Sequence, residues 1–423
     1  MSFNILEFLK SLVSLTLFDY LRQVWDDTNW IISEEAVLDI IGVLVVSTFC
    51  LLIVVFLIWL ERKVIARMQD RIGPNRVGGK YGLLQTVADV LKLLTKESFT
   101  PANADWWPYN IAPFIIVVSA LLMWAVMPFA PGVIGVDLNI GLFYVLSISS
   151  VSVVSLLLAG WGSNNKYALL GAFRSVAQLV SYEVPMILSL IVPILLARSM
   201  STESIIAAQS IPFLLVAPLS AIIFFISATA ETGRTPFDLL EADSEIVAGF
   251  HIEYSGMKFG MFFLAEFMNT LFMSGLFTTI YLGGYRLFGL EQLTVGDGFA
   301  LGRLIGLVVF FVKMFIVYFV FIWLRGTLPR VRVDQLLNFN WKFLVPLTLV
   351  LVFVVAIADK FIQMADWNTL ARFGTHLILN VIIGFGTIEF LRRGARRQRL
   401  LVEADRTDGR ADVAHSADVA AAH

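Results

Sequence analysis

Three carboxylates of this chain, Asp238, Glu241 and Glu245, follow one another at spacings of three and four residues. A helix that begins at Pro236 would place all three on one face. Crowded carboxylates repel one another, so their pKa values rise and they can exchange protons near neutral pH. A solvated acidic loop is the alternative. Proton exchange is favoured because large apolar residues separate the acids and because a long apolar segment ends beside them, at Glu231.

Charged side chains also lie inside or at the ends of apolar segments, at Glu183, Glu266 and Lys313. A charge at the centre of a membrane helix costs about 2.5 to 3.5 kcal/mol on insertion scales, so such residues require a reason to be there. Two reasons fit: a buried ion pair that joins two helices, or a path for protons or other ions. Lys313 with Glu266 is the first pair to test.

A dense basic stretch, ERKVIARMQDRIGPNRVG, occupies residues 61–78 and follows directly after the 21 uncharged residues 40–60. Its bases Arg62, Lys63, Arg67, Arg71 and Arg76 lie among the acids Glu61 and Asp70. These bases are either an ordinary basic flank of a membrane helix or part of a site with the two acids. Gly73, Pro74, Gly78 and Gly79 predict a path rich in turns rather than a continued helix.

The composition indicates that membrane helices position these residues. Of the 423 residues, 58% are hydrophobic and 15% are charged, with a mean hydropathy of +0.80, whereas about 25% of the residues of a soluble protein are charged. Runs of roughly 20 apolar residues can cross a bilayer as helices. Nine runs are candidates: 40–60, 111–130, 140–159, 175–197, 211–230, 260–283, 305–324, 343–358 and 373–390. The last two are the shortest or contain His376 and Glu389, so we expect an all-α polytopic membrane protein with eight or nine transmembrane helices plus interfacial amphipathic helices.

The distribution of lysine and arginine predicts the orientation of the spans. Polar segments on the side of residues 61–107 carry 23 of these bases, and those on the opposite side carry seven. Basic loops remain in the cytoplasm. We therefore expect a multi-pass protein of the cell inner (cytoplasmic) membrane, with its main polar loops and its C-terminus in the cytoplasm.

Four regions are distinguished along the chain. Residues 1–36 are predicted to form an N-terminal interfacial extension, because polar residues recur there at helical spacing and no signal-peptide pattern is present. The core transmembrane domain is 37–360, an extra C-terminal span is 361–393, and a disordered cytoplasmic tail is 394–423, where few large apolar residues occur. Within the core, residues 81–97 should form an amphipathic surface helix. Its apolar face carries Leu84, Val87, Leu91 and Leu94, and its polar face carries Gln85, Asp89, Lys92 and Lys96.

The composition disfavours several functions. A net charge of −2 gives no reason to expect nucleic acid as a partner. Cys50 is the only cysteine, so this chain alone cannot hold a disulfide, a cysteine zinc site or an iron–sulfur cluster. His251 and His376 are too far apart in sequence to suggest a bis-histidine haem, and Walker-type, GxGxxG and HExxH motifs are absent. We predict no metal site and no complete active site in this chain alone.

The motifs ERKVIARMQDRIGPNRVG, SYEVP (181–185) and FDLLEADSEIVAGFHIEYSG (237–256), in this order and with eight or nine spans, form a specific combination. It resembles the family of the membrane-bound H subunit of proton-pumping NADH:quinone oxidoreductase, respiratory complex I, equivalent to mitochondrial subunit 1. The resemblance covers about Glu61 to Lys342. The N-terminal extension, the ninth span and the tail depart from the usual eight-span core.

The resemblance implies a subunit that closes a quinone tunnel against the peripheral arm of the complex and starts a chain of acids leading to the pump. It assigns Glu61, Arg62, Arg234, Phe237 and Asp238 to the quinone tunnel. It assigns Glu183, Glu231, Glu253 and Glu266, flanked by Glu241, Asp243 and Glu245, to proton coupling, to which we add Lys313 for its place inside a span. The bases Lys63, Arg67, Arg71 and Arg76 would then dock soluble subunits.

The implied partners are quinone as substrate, membrane lipid, and the other membrane and peripheral subunits of the complex, which would hold the FMN and iron–sulfur clusters. Two alternatives remain. A related membrane subunit of a hydrogenase, or of another ferredoxin- or coenzyme-linked dehydrogenase, would have the same architecture with a different electron donor. A stand-alone secondary transporter would use Glu183, Glu266 and Lys313 as an ion relay, but no internal repeat of the kind common in transporters is apparent.

Overall fold

A computed structural model describes residues 34–238, 249–287, 301–365, 371–394 and 396, without the side chains of 34–39 and 301. Over these residues the chain is helical, and its only extended pairing is an isolated bridge between Ala130 and Val133. The helices are α1 (Glu34–Met68), α2 (Gln85–Thr95), α3 (Trp106–Leu122), α4 (Gly141–Gly162), α5 (Lys166–Ala197), α6 (Thr202–Ala208), α7 (Phe213–Val216), α8 (Pro218–Glu231), α9 (Gly256–Tyr281), α10 (Leu301–Thr327), α11 (Val333–Phe339), α12 (Val345–Met364) and α13 (Ala371–Gly394).

Eight helices of the described residues are long and apolar enough to cross a membrane, which confirms the expected polytopic all-α class. A π-helical turn, Asn340–Leu344, joins α11 and α12 into one of these spans. The fifth apolar run of the sequence is divided at Ala217 into α7 and the 14-residue α8. At 1.5 Å per residue, α8 measures only about 21 Å, less than the roughly 30 Å of bilayer hydrocarbon.

Contacts between turns show that α7 and α8 together also connect the two ends of the bundle. At one end, Arg234, just after α8, pairs with Glu61 of α1. At the other end, Gln209, just before α7, donates a hydrogen bond to the carbonyl of Thr279 near the end of α9. The segment that contains α7 and α8 therefore runs from one end of the bundle to the other, although α8 itself is too short to count among the eight spans.

The centre of the bundle is α9, which is the most enclosed of the long spans of the described residues. Aromatic side chains fill the space around it; Trp124, for example, stacks on Phe129 and meets Phe272 of α9 edge-on. Lipid chains are as apolar as these rings, so the rings hold the spans together through close van der Waals packing rather than through the hydrophobic effect. This aromatic core fixes α9 in position, and α9 in turn lines two cavities.

The basic stretch ends α1 and then turns, as its glycines predict. After Met68 the backbone runs through turns to Leu84, with positive φ angles at Asp70, Gly78, Gly79 and Gly82. A Cβ on Gly82 would lie 2.4 Å from the carbonyl oxygen of Pro74, so only glycine fits there. Trp59 of α1 donates a hydrogen bond to the carbonyl of Tyr81 and so fixes this segment to α1.

The amphipathic helix predicted over 81–97 is confirmed as α2. Its predicted apolar residues Leu84, Val87, Leu91 and Leu94 are all exposed, as expected for a face that contacts lipid or a partner. Residues 236–238 are not helical, so the predicted helix does not begin at Pro236, and the rest of that helix was predicted over residues outside the described ones. Glu241, Asp243 and Glu245 lie outside the described residues, as do the N-terminal extension up to residue 33 and the tail from residue 397.

The last apolar run, 373–390, forms the helix α13, as the sequence predicts. It is fixed to the bundle near its first turn: Arg372 Nε lies 2.8 Å from Asp359 Oδ1, and Arg372 Nη2 donates to the carbonyl of Leu196 at 3.1 Å. Arg198 Nη2 lies 4.0 Å from Asp359 Oδ2. A buried acid thus joins α5, α12 and α13 at one end of the bundle.

Candidate functional site

One cavity, the basic cavity, lies between the end of α1, the turn after it, α9 and α10. Its volume is about 460 Å³, within the range of about 300 to 1,000 Å³ for small-molecule sites. Its polar lining consists of Glu61, Arg62, Arg71 and Arg325, and its apolar lining includes Ile58, Ile65, Ile72, Phe263 and Phe267. It suits a molecule with a flat or aliphatic body and polar oxygens.

Glu61 is the buried acid of the basic cavity, with 5% of its surface exposed. Arg234 Nη1 contacts both carboxylate oxygens, at 2.8 and 2.9 Å, and Arg325 Nη1 pairs with Oε1. A buried carboxylate is tolerated only when paired and hydrogen-bonded. These contacts bring α1, the turn after α8 and the end of α10 together around one charge.

The same guanidinium of Arg234 reaches a second acid. Its Nε lies 3.3 Å from Glu266 Oε1 and 3.4 Å from Thr270 Oγ1, both on α9. Its carbon Cζ lies 4.5 Å from the ring centre of Phe267, a cation–π distance. One fully enclosed base therefore connects Glu61 in the basic cavity with Glu266.

Glu266 also lines a smaller cavity of about 70 Å³, the acid cavity, which lies between α3, α4, α5, α9 and the turn before α9. Its polar lining residues are Ser119, Ser152, Glu231, Thr232, His251, Glu266 and Asn269. Because a water molecule takes about 30 Å³ of liquid volume, the cavity accommodates about two. Phe263 lines both cavities, so the two are neighbours across α9.

Two further predicted acids are Glu183, which lies near the acid cavity, and Glu253, which lies at the same end of the bundle. Glu183 accepts a hydrogen bond from Ser150 Oγ at 2.6 Å and is close enough to Glu231 for their charges to repel. Glu253 accepts from Asn165 Nδ2 at 2.7 Å. These contacts place Glu183, Glu231 and Glu266 near one another. Glu253 is joined to the N-terminal end of α5, with no direct contact to the other three among the described residues.

A pair of tyrosines holds the loop that carries His251 and Glu253. The rings of Tyr109 and Tyr254 stack at 4.3 Å, and each hydroxyl donates to a backbone carbonyl, that of Glu253 and that of Tyr109 respectively. Burial, and then the neighbouring Tyr109, raise the pKa of Tyr254 well above its usual range. Its hydroxyl therefore remains a neutral donor at physiological pH.

The other predicted tunnel residues are placed differently. Arg62 lines the basic cavity and pairs with Asp89 of α2 at 2.5 Å. Phe237 is buried against Tyr182, and Asp238 is half-buried; neither lines the basic cavity. The predicted docking bases Arg67, Arg71 and Arg76 are exposed, and Lys63 is half-buried.

Lys313 does not pair with Glu266. Its Nζ donates to the carbonyls of Leu282, Gly284 and Arg286, at 2.7 to 3.0 Å. Leu282 lies 16 residues beyond Glu266 on or just past α9, a distance of roughly 24 Å along a helix. Glu266 instead lies beside Arg234. Lys313 thus binds the carbonyl end of α9, where a positive charge is favourable.

Three residues of the site were not singled out by sequence. Arg325 is the first charged residue after its apolar run, so its place at the span end was a usable signal. Tyr109 and His251 gave no such signal, because stacking and cavity lining depend on contacts between distant segments.

Known proteins resemble this chain over most of its length. The profile of the NADH dehydrogenase family matches residues 41–356. The NADH-quinone oxidoreductase H subunit of Dehalococcoides mccartyi (strain CBDB1) is 45% identical over 346 residues, which are 82% of this chain and 92% of the relative. The protein of the same name from Bacteroides thetaiotaomicron is 41% identical over 83% of this chain and 98% of the relative, and that from Geobacillus kaustophilus is 48% identical over 70% and 86%. The chain therefore belongs to the NADH dehydrogenase family, among the membrane-bound H subunits of NADH-quinone oxidoreductase.

Proposed function

We propose that this chain forms the quinone-binding cavity of an NADH:quinone oxidoreductase and couples quinone reduction there to proton translocation. The quinone head would enter the basic cavity, where Glu61, Arg62 and Arg325 offer polar contacts and Phe263 and Phe267 offer apolar ones. The names of the relatives favour this over a hydrogenase-type subunit or a stand-alone transporter.

The observation that carries the proposal is the position of Arg234. It contacts Glu61, which lines the basic cavity, and Glu266, which lines the acid cavity. A change of charge at the quinone would change how strongly Arg234 is attracted to Glu61 relative to Glu266. The contact between Arg234 and Glu266 would then weaken or strengthen. The affinity of Glu266, and of the acid cavity that it lines, for a proton would change as a result.

The magnitudes are compatible with such coupling. One unit charge at about 10 Å and an effective dielectric near 20 is worth roughly 1.7 kcal/mol. Moving one charge across 100 mV takes about 2.3 kcal/mol. A single interaction is therefore marginal, and several acids must respond together. Glu183, Glu231 and Glu266 are placed to do so, and the flanking Glu241, Asp243 and Glu245 would extend the set.

Electrons would reach the quinone from other subunits. We propose that the exposed bases Arg67, Arg71 and Arg76, with Lys63, dock peripheral subunits that hold the FMN and iron–sulfur clusters. This chain would hold no such cofactor itself. Their exposure at the same end of the bundle as the basic cavity supports this arrangement.

Glu231→Gln tests the proposal in the complete complex. We expect normal assembly, with NADH:quinone reductase activity and proton pumping both lowered at least tenfold, because the amide cannot accept and release a proton. Glu203→Gln, in the first turn of α6 at the opposite end of the bundle, is the control and should behave as wild type. Normal pumping by an assembled Glu231→Gln complex would refute the role in proton coupling.

A further inference from the structure

His251 forms part of the wall of the acid cavity, and it has no role in the function proposed above. It ends the short 3-10 turn Gly249–His251, between α8 and α9, on the same side as the basic stretch. Its ring meets those of Phe250 and Phe259, with centres 5.0 and 5.2 Å away. The side chain is half-buried, so it touches both the cavity and the surface.

The acid cavity is lined by residues whose hydrogen-bond acceptors have no protein partner among the described residues, and bound water could satisfy them. Glu231 Oε2 and Asn269 Oδ1 are both buried, and neither has a hydrogen-bond partner among the described residues. Both residues line the cavity, whose volume of about 70 Å³ accommodates about two water molecules. Water that donates to both acceptors would connect Glu231 with the cavity wall where His251 lies.

We propose that His251 passes protons from the loop surface to Glu231 through water bound in the acid cavity. This inference rests on the function proposed above and adds a residue to its proton path. One ring nitrogen takes a proton from water at the surface. The other nitrogen releases its proton to cavity water, which in turn protonates the Glu231 carboxylate. One proton has then moved inward, and the neutral imidazole has changed tautomer.

Imidazole suits this position because its unperturbed pKa of about 6.5 lets it gain and lose a proton near neutral pH. Among the described residues, the charged groups on its own loop and on the elements packed around it include Glu253, Glu231 at the end of α8, Lys258 and Glu266 on α9, and Arg174, one turn beyond Gly171 of α5. Gly171 is the point where α5 approaches the turn: a Cβ there would lie 2.6 Å from the carbonyl carbon of Gly249.

The test compares His251→Gln with His376→Gln in the whole complex, in inverted membrane vesicles supplied with NADH and a soluble quinone. Proton movement is followed with a pH-sensitive dye, with and without added imidazole. We expect His251→Gln to assemble, to lose proton uptake and quinone reduction at least fivefold, and to recover most of both with imidazole. His376 is buried at the other end of the bundle, so imidazole should not alter the rates of that variant.

Ala120→Leu is a second arm that leaves His251 in place. Ala120 lines the acid cavity, and the larger side chain would displace its water, so proton uptake should fall without rescue by imidazole. Wild-type uptake by Ala120→Leu, wild-type uptake by His251→Gln, or a loss in assembled His251→Gln that imidazole does not restore would each overturn the inference. If Glu231→Gln is inactive while His251→Gln is normal, only the role of His251 fails. If Glu231→Gln is normal as well, the proposed function fails.

Discussion

At the scale of single residues, Arg234 is a buried base that two carboxylates share. It is 3% exposed and contacts two carboxylates and an aromatic ring. The planar guanidinium carries its donors on three separate nitrogens and so reaches Glu61 and Glu266 together, whereas a lysine carries all its donors on one nitrogen. The sequence indicated Glu61, Arg234 and Glu266 separately, but their positions in the chain carry no information that one base joins them. Such a contact depends on how α1, α8 and α9 pack.

Arg234→Gln should therefore be strongly destabilising. Removing one partner of a buried ion pair costs about 3 to 5 kcal/mol, because the remaining charge stays buried. We expect a lower melting temperature of the purified complex and at least a tenfold loss of quinone reduction. Arg234→Lys should retain stability better than activity, because it keeps the charge but not both contacts.

The matched control for Arg234 is Arg393→Gln. Arg393 also pairs with a carboxylate, Glu389 at 3.0 Å, but its side chain is 78% exposed. Exposed pairs contribute little to stability, so the melting temperature and activity should equal those of wild type. Equal effects of the two substitutions would contradict the central position of Arg234.

At the scale of helices, the spacing of apolar residues and the positions of glycine and proline predicted most elements correctly. The errors have physical causes. The spacing of leucines over 84–94 predicted α2, and the glycines after Met68 predicted the turns. No helix begins at Pro236, because the chain bends there. Gln178 of α5 donates hydrogen bonds to the carbonyls of Ala230 and Phe237 and so holds the two sides of the bend together. A side chain more than 50 residues away decides this local geometry.

The approach of α5 to the turn Gly249–His251 gives a prediction at this scale. In Gly171→Ala, the new Cβ would lie within 3.0 Å of backbone atoms of Gly249 and Phe250. The turn, and His251 with it, must move. Overpacking of this kind costs about 1 to 3 kcal/mol, and we expect a several-fold loss of quinone reduction together with a lower melting temperature.

Gly374→Ala is the control for Gly171→Ala. Gly374 lies in α13, and a Cβ added there would have nothing within 4 Å. Alanine favours a helix over glycine by up to about 1 kcal/mol, so this variant should be slightly more stable and fully active. A Gly171→Ala complex with unchanged melting temperature and activity would show that the turn can move freely.

At the scale of the whole molecule, the contacts between turns divide the polar segments into two groups, one at each end of the bundle. One group contains Glu61, Arg234 and the two cavities; the other contains Arg198, Asp359 and Arg372. The count of bases, 23 against seven, predicts that the first group lies in the cytoplasm. The sequence could predict this division because it depends only on the order of apolar and basic segments. Which spans contact one another could not be predicted, because that depends on how their side chains pack.

Labelling of introduced cysteines tests this orientation. The native Cys50 is fully buried, so wild type should resist a membrane-impermeant maleimide and provide a clean background. Ser98→Cys, after α2, and Met200→Cys, between α5 and α6, place exposed thiols at opposite ends of the bundle. We expect Ser98→Cys to react only in inverted vesicles and Met200→Cys only in intact spheroplasts. The reverse pattern would place the basic cavity on the outer side, which would contradict the proposed docking of cytoplasmic subunits beside it.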